Sequence, residues 1–245
     1  LPLDARDSPA IVAVLNSSIA CFWLKQKSQF KGLGGVNQES RTEHWEGFYE
    51  FSGSTIQGMP LPGVLPRKLG SELDRFAQEL SRNHLTVLMS ESLPTSSLMQ
   101  TAQRVQTRLL HMLIAYQEEL DWQLYHSYGM IDESLTCPGE VPEIGRGERA
   151  FEIVLARRQR AGEVDTTWFS RHRSSPITEI PDGWPADYRE LVQRRIDAIE
   201  SVDAIRLLEA PEYKRRWATE PFEKQADRAL RGWLLDRLED RALWF

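Results

Sequence analysis

The chain reads as an α+β fold that is predominantly α-helical, with a small mixed N-terminal subdomain and a helical C-terminal region. Three observations predict this. Leu98, Ala102, Val105, Leu109, Leu113, Tyr116 and Leu120 keep the 3.6-residue helical period over six turns. Only Ser52 to Gln57 reads as a short strand. Proline repeatedly stands where a helix would begin, at Pro9, Pro94, Pro185 and Pro221. A run of helices with little strand belongs to the α-rich end of the α+β class.

Taken in order, Ser8-Pro9 opens the first helix, with Ser8 as N-cap. Ile11, Leu15, Ile19 and Phe22 continue it until it fades near Lys25–Ser28. Lys31 to Arg41 reads as loop, rich in glycine and poor in apolar anchors. Trp45, Phe48, Tyr49 and Phe51 form an aromatic cluster, expected to pin that loop to the first helix. Pro60, Pro62 and Pro66 close the unit. Lys68 to Leu80 is a short amphipathic helix with Leu69, Leu73, Phe76 and Leu80 on one face. The long helix runs from Pro94-Thr95 to about Leu120, and Gly129 is expected to stop the helical end that carries Trp122, Tyr125 and Tyr128. The Cys137–Pro142 run marks a break. Glu148 to Arg160 is helical, Ser174 to Pro185 a Pro-rich connector, and Pro185 to Leu208 one or two helices. Pro221 to Arg241 gives a final helix, buried through Phe222, Ala226, Leu230, Trp233, Leu234 and Leu238. The expected division is 1–66, 67–136 and 137–245.

At 245 residues and 41% hydrophobic content the chain has enough apolar side chains for a substantial core. No apolar run approaches the roughly 20 residues needed to span a bilayer, so no membrane is expected as a partner. A basic segment followed by an apolar one is missing after Leu1, so the chain reads as a piece of a longer one without a signal peptide. Cys21 and Cys137 lie far apart, which fits a reducing cytoplasm better than a disulfide scaffold.

The net charge of −6 is not that of a protein that coats nucleic acid. The charge is uneven: residues 1–140 carry 11 Lys/Arg against 16 Asp/Glu, yet Arg6, Lys25, Lys27 and Lys31 face only Asp4 and Asp7 in the first 35. A basic spot on an acidic chain suits local phosphate contact. Lys25, Lys27, Lys31 and Arg41 suit phosphates, and Asn37 and Gln38 offer amides able to pair with adenine. These six are the candidate DNA-binding residues. The competing reading is solvated surface, with lysines favouring a helix C-terminus.

Other chemistry is weakly signalled. Adenine N6 methylation uses a polar residue followed by Pro-Pro and an aromatic, and none of the 13 prolines is adjacent to another. Phe30-Lys31-Gly32-Leu33-Gly34 matches a cofactor-loop pattern by letters but follows a polar helix end. Pro181-Asp182 with Glu212-Tyr213-Lys214 fits a loose metal-nuclease pattern, in which two carboxylates hold the metal. The histidines at 44, 84, 111, 126 and 172 have no ligand spacing. No catalytic, cofactor or metal residue is therefore assigned. Arg157, Arg158, Arg160, Arg171 and Arg173 around Trp168, and Lys214-Arg215-Arg216, are basic patches expected to be ion-paired on the surface.

The stretch Ala13 to Pro62, AVLNSSIACFWLKQKSQFKGLGGVNQESRTEHWEGFYEFSGSTIQGMPLP, resembles the end of the target-recognition region in large adenine-specific DNA methyltransferases, those of the PglX type from BREX phage-defence systems. A second block, with ERAFEIVLARRQRAGEVDTTWFSRH, PITEIPDGWPADYRELVQRRI and PEYKRRWATEPFEKQADRALRGWLLDRLED, resembles their far C-terminal part. The resemblance implies a non-catalytic portion of an N6-adenine methyltransferase that marks bacterial DNA in the cytoplasm. It implies S-adenosylmethionine as cofactor of the whole protein but not of this portion. Double-stranded DNA is the implied partner, with other defence-system proteins beside it. The alternatives are a helical interaction module of a defence complex, or the specificity part of a fused restriction–modification enzyme.

Overall fold

A computed structural model describes residues 4–32, 43–218 and 220–240. The chain is predominantly helical with a small mixed region near its start, as expected. The first apolar segment is not one helix. α1 (Ser8–Leu15) and α2 (Ser18–Lys27) meet at a bend of 63°. Asn16 and Ser17 cause the break: Ser17 Oγ donates to Val14 O at 2.7 Å and accepts from Ala20 N at 3.2 Å, so one hydroxyl ends α1 and caps α2. Asp7, not Ser8, is the N-cap residue of α1.

The strand prediction misplaces the sheet. Ser52 to Gln57 is not extended; α3 (Gly53–Gln57) forms because Ser52 Oγ accepts from Thr55 N at 3.1 Å. The strands are β1 (Gln29–Gly32) and β2 (Phe48–Glu50), paired antiparallel with Phe30 opposite Tyr49 and an irregularity between Phe30 and Gly32. This hairpin is mostly exposed.

α4 (Arg67–Arg82) packs on α1 and on α6 (Ser96–Ser127), the long predicted helix. Gly70 makes the first contact possible. A Cβ there would lie 2.7 Å from Ala10 Cα and 2.9 Å from Pro9 O. Between them, α5 (Leu85–Glu91) was not anticipated. Thr95 caps α6, accepting from Leu98 N at 3.1 Å. The helix runs past the expected Leu120 and stops at Gly129, whose φ is +70°. Met130 N donates to Tyr125 O at 2.8 Å and Gly129 N to His126 O at 3.0 Å, the paired bonds of a glycine-terminated helix.

α7 (Ala150–Arg160), α8 (Trp168–His172), α9 (Ala186–Ser201) and α10 (Asp203–Leu208) wrap the C-terminal half of α6. One buried cluster extends from Ala10 to Trp217, with Trp122, Leu124, Tyr125, Phe151 and Trp168 at its centre. A smaller cluster joins α5, the start of α6 and α11 (Phe222–Glu239) through Leu85, Met89, Ala102 and Ala229. The final helix is less buried than its apolar stripe predicts. Leu234 and Leu238 are 52% and 51% exposed, because only the α5 side of α11 is covered. Among the described residues no single helix is long and apolar enough to cross a membrane.

Candidate nucleic-acid interface

Three of the six predicted DNA-binding residues are described, and they stand in different settings. Lys25, on the last turn of α2, is half-buried and donates to Glu212 O. Its ammonium lies 5.2 Å from the centre of the Tyr49 ring and 5.6 Å from that of Tyr213. Burial pulls its pKa below the usual lysine value. Lys27 is exposed. Lys31 lies on β1 rather than in a loop, paired with Glu50 at 2.6 Å. Asn37, Gln38 and Arg41 lie outside the described residues.

Lys25 sits in an open groove of about 700 Å³ between the hairpin and the turn after α10. Phe30, Tyr49 and Tyr213 supply aromatic faces, and Arg206 and Glu212 supply charge. Phe30 and Tyr49 meet edge to face at 5.3 Å, Tyr213 packs on Phe22 at 5.2 Å, and Phe30 remains 51% exposed. Arg206 is tied to Asp203. The result is an aromatic slot with Lys25, Arg206, Asp203 and Glu212 at its edges, open to a planar ring. Arg206 and Tyr213 were not singled out from sequence, because they come from a distant segment.

The aromatic cluster divides. Trp45 is buried and packs on Trp168 at 5.3 Å. Glu43 holds it, accepting from Trp45 Nε1 at 2.9 Å and from Thr167 N. Phe48 and Phe51 stay about half exposed. Phe30 and Gly32 of the cofactor-like pattern lie on this exposed hairpin, and Gly34 is outside the described residues.

The nuclease pattern does not assemble. Asp182 is fully exposed and faces Arg189, whereas Lys214 is fully buried elsewhere. The arginine patch is partly paired as expected, Arg158 with Glu163 at 3.4 Å and Arg171 with Glu46 at 3.6 Å. Trp168 at its middle is core. The patch at Lys214 breaks the expectation of a surface pair.

Lys214 is the centre of a buried ionic cluster. Its ammonium lies 2.9 Å from Glu118, 2.9 Å from Asp121 and 2.8 Å from Glu209. Ser18 donates to Asp121 through both its N–H, at 2.9 Å, and its hydroxyl, at 2.8 Å. Tyr125 donates to Glu209 at 2.5 Å. Burial opposes the charge on Lys214, but Asp121, Glu118 and Glu209 outweigh it and raise its pKa. Glu118 has the opposite balance: burial exceeds the pull of Lys214 and pushes its carboxyl up to about 7. Beside the cluster, Arg149 forks onto Glu152, which also accepts from Trp168 Nε1 at 2.9 Å. A further clamp joins Arg195 Nη2 to both oxygens of Glu119, each at 2.8 Å, and to Leu135 O at 2.7 Å. The sequence did carry a signal for this centre. Glu118, Glu119 and Asp121 fall beside the Leu98–Leu120 stripe as a polar run, and the apolar residues Trp122, Leu124 and Tyr125 that follow are the one hint that this end of α6 is buried on all sides.

Residues 113–245 match the family described as "Domain of unknown function (DUF7008)". The chain belongs to that family. The match begins on α6 and takes in the ionic centre and everything after it. The chain is also 47% identical over 242 residues to the adenine-specific methyltransferase PglX of Streptomyces coelicolor, a match that covers 96% of this chain. The PglX resemblance read from the sequence therefore holds across the hairpin as well as the helices. The chain spans 20% of that relative's length. No solved structure matches.

Proposed function

We propose that this chain is a non-catalytic, DNA-contacting portion of an adenine-specific N6 DNA methyltransferase of bacterial anti-phage defence. The observation that carries the reading is the 47% identity to PglX over 96% of the chain. The sequence has no adjacent prolines for an adenine-binding loop, so methyl transfer from S-adenosylmethionine falls to the rest of the protein. What supports the reading locally is the position of Lys27 at the end of α2 and of Lys31 on β1, where they would meet phosphates, and the ring faces of Phe30, Tyr49 and Tyr213 in the groove. Lys25 would act by holding the turn at Glu212 against the hairpin.

The test uses the full-length methyltransferase with Lys27, Lys31 and Arg41 replaced by Ala. Duplex affinity should fall, and the log–log salt slope should become shallower by about 0.9 for each phosphate that is no longer neutralised. Affinity for S-adenosylmethionine should not change. Unchanged duplex affinity at every salt concentration overturns the reading. A second reading, a helical module that docks other defence-system proteins, is favoured by Leu234 and Leu235, which are 52% and 58% exposed on α11. That reading leads if the DNA test fails and if Leu234→Lys with Leu235→Lys abolishes co-purification of the defence complex.

A further inference from the structure

Gly147 brings two arginines to one groove. Its φ is +92°, and a Cβ there would lie 2.6 Å from Ser175 O and 3.2 Å from Ser174 Cβ. Only glycine lets these two loops touch. Arg146 precedes Gly147 and Arg173 precedes Ser174, so the contact places both on the rim of a groove of about 580 Å³. Gln103 and Thr107 of α6 also line it.

Arg173 is the residue that needs explaining. It caps α8 with φ 51° and ψ 48°, the one non-glycine residue with positive φ among the described residues. Glycine adopts this conformation freely, and an L side chain is strained in it. The Arg173 side chain is exposed and makes no hydrogen bond or ion pair among the described residues. Nothing within the fold therefore accounts for an arginine there. Arg146 uses one N–H on His172 O at 3.3 Å and has others left.

The acids near this rim are mostly paired, one of them inside the groove itself, which both Glu220 and Arg228 line. Glu220 faces Arg228 at 2.6 Å, and Glu143 faces Arg108 and His111 at 3.5 and 3.6 Å. Glu223, on the first turn of α11, is the remaining carboxylate of the groove. Two guanidinium groups lining one groove, with amide and hydroxyl donors in the same lining, fit a tetrahedral oxyanion.

We propose that Arg146 and Arg173 form a phosphate-binding fork, distinct from the hairpin groove, that takes the phosphoryl group of a nucleotide or of a nucleic-acid backbone. Gln103 and Thr107 complete its donors.

The experiment is calorimetry on the 245-residue chain in chloride buffer, with inorganic phosphate, a nucleoside monophosphate and short duplex DNA as probes. Arg173→Gly removes the guanidinium and relieves the backbone, so it should raise Tm while weakening phosphate binding about tenfold or more. Arg146→Gln should weaken it similarly, and Arg194→Gln, at an exposed arginine on α9 outside this groove, should leave it unchanged. A nucleoside monophosphate that binds more tightly than phosphate identifies a small ligand. A duplex that displaces phosphate from the unsubstituted chain but does not bind Arg173→Gly identifies a backbone contact. The proposal is overturned if the unsubstituted chain binds none of the probes saturably, or if Arg173→Gly binds phosphate within about twofold of it.

Discussion

Lys214 and Asp121 form an ion pair of 2.9 Å, closed to solvent, between the turn after α10 and the last two turns of α6. The pair ties α2 in as well, because Ser18 donates twice to the same carboxylate. Replacing Lys214 by Met would strand three buried carboxylates. Loss of about 3–5 kcal/mol is expected, read as a lower denaturant midpoint or as failure to accumulate folded protein. A change below about 1 kcal/mol would mean that water reaches this centre.

Glu118 sets an alkaline weakness. Its carboxyl is pushed up from its usual 4.5 to about 7 by burial. Between those values the fold holds a proton that the unfolded chain has released. Stability therefore falls as pH rises from about 4.5 to 7, by roughly 3 kcal/mol in total, and then levels off. Glu118→Gln should match the unsubstituted chain near pH 4.5 and exceed it at pH 8. Parallel pH–stability curves for the two proteins would refute this.

Gly70→Ala should destabilise, although alanine favours a helix by up to about 1 kcal/mol. The new Cβ would meet the backbone of Ala10 at 2.7 Å, and backbone cannot step aside like a flexible side chain. A net loss of about 1–3 kcal/mol is expected from thermal unfolding. A gain in Tm would show that α1 and α4 slide apart freely.

Arg195 closes the fork on Glu119 and Leu135 O. Arg195→Lys keeps the charge but has no second nitrogen for the bond that Nε donates to Leu135 O at 2.9 Å, so a loss of about 1–3 kcal/mol is expected. Arg195→Ala should cost about 3–5 kcal/mol, since Glu119 stays buried. Equal losses from the two substitutions would mean that the retained charge contributes nothing, and an unchanged Arg195→Lys that the guanidinium geometry contributes nothing.

Elements with a long apolar period were legible from the residues alone. α4 and α6 follow their stripes, and Gly129 stops α6 as its position suggests. Local hydrogen bonding defeated the reading elsewhere. Ser17 splits one apolar run into two helices, and Ser52 turns a supposed strand into a helix, each through a single hydroxyl. The hairpin was missed because Gln29–Gly32 is short and mostly exposed, with no alternation to detect. At the candidate site, Lys27 and Lys31 could be picked out by charge. Tyr213 and Arg206 could not, since only the tertiary fold carries them to the hairpin. Lys214 was misread for a related reason: a basic triplet resembles surface until its acidic partners on α6 are known.

The two halves of α6 rest on unequal support. Between Ser96 and Gln106 only Ala102 is buried, and its neighbours belong to the small cluster with α5 and α11. From Leu109 onward the helix enters the main core and the ionic centre. One continuous backbone ladder therefore spans two levels of local stability. If α11 lifts away, the first turns lose one side of their packing and keep α5, while the remainder stays clamped by Lys214 and Arg195. Amide exchange along this single helix would then fall in two steps, with the boundary near Leu109. Whatever binds α11 would control the order of the first step without reaching the second.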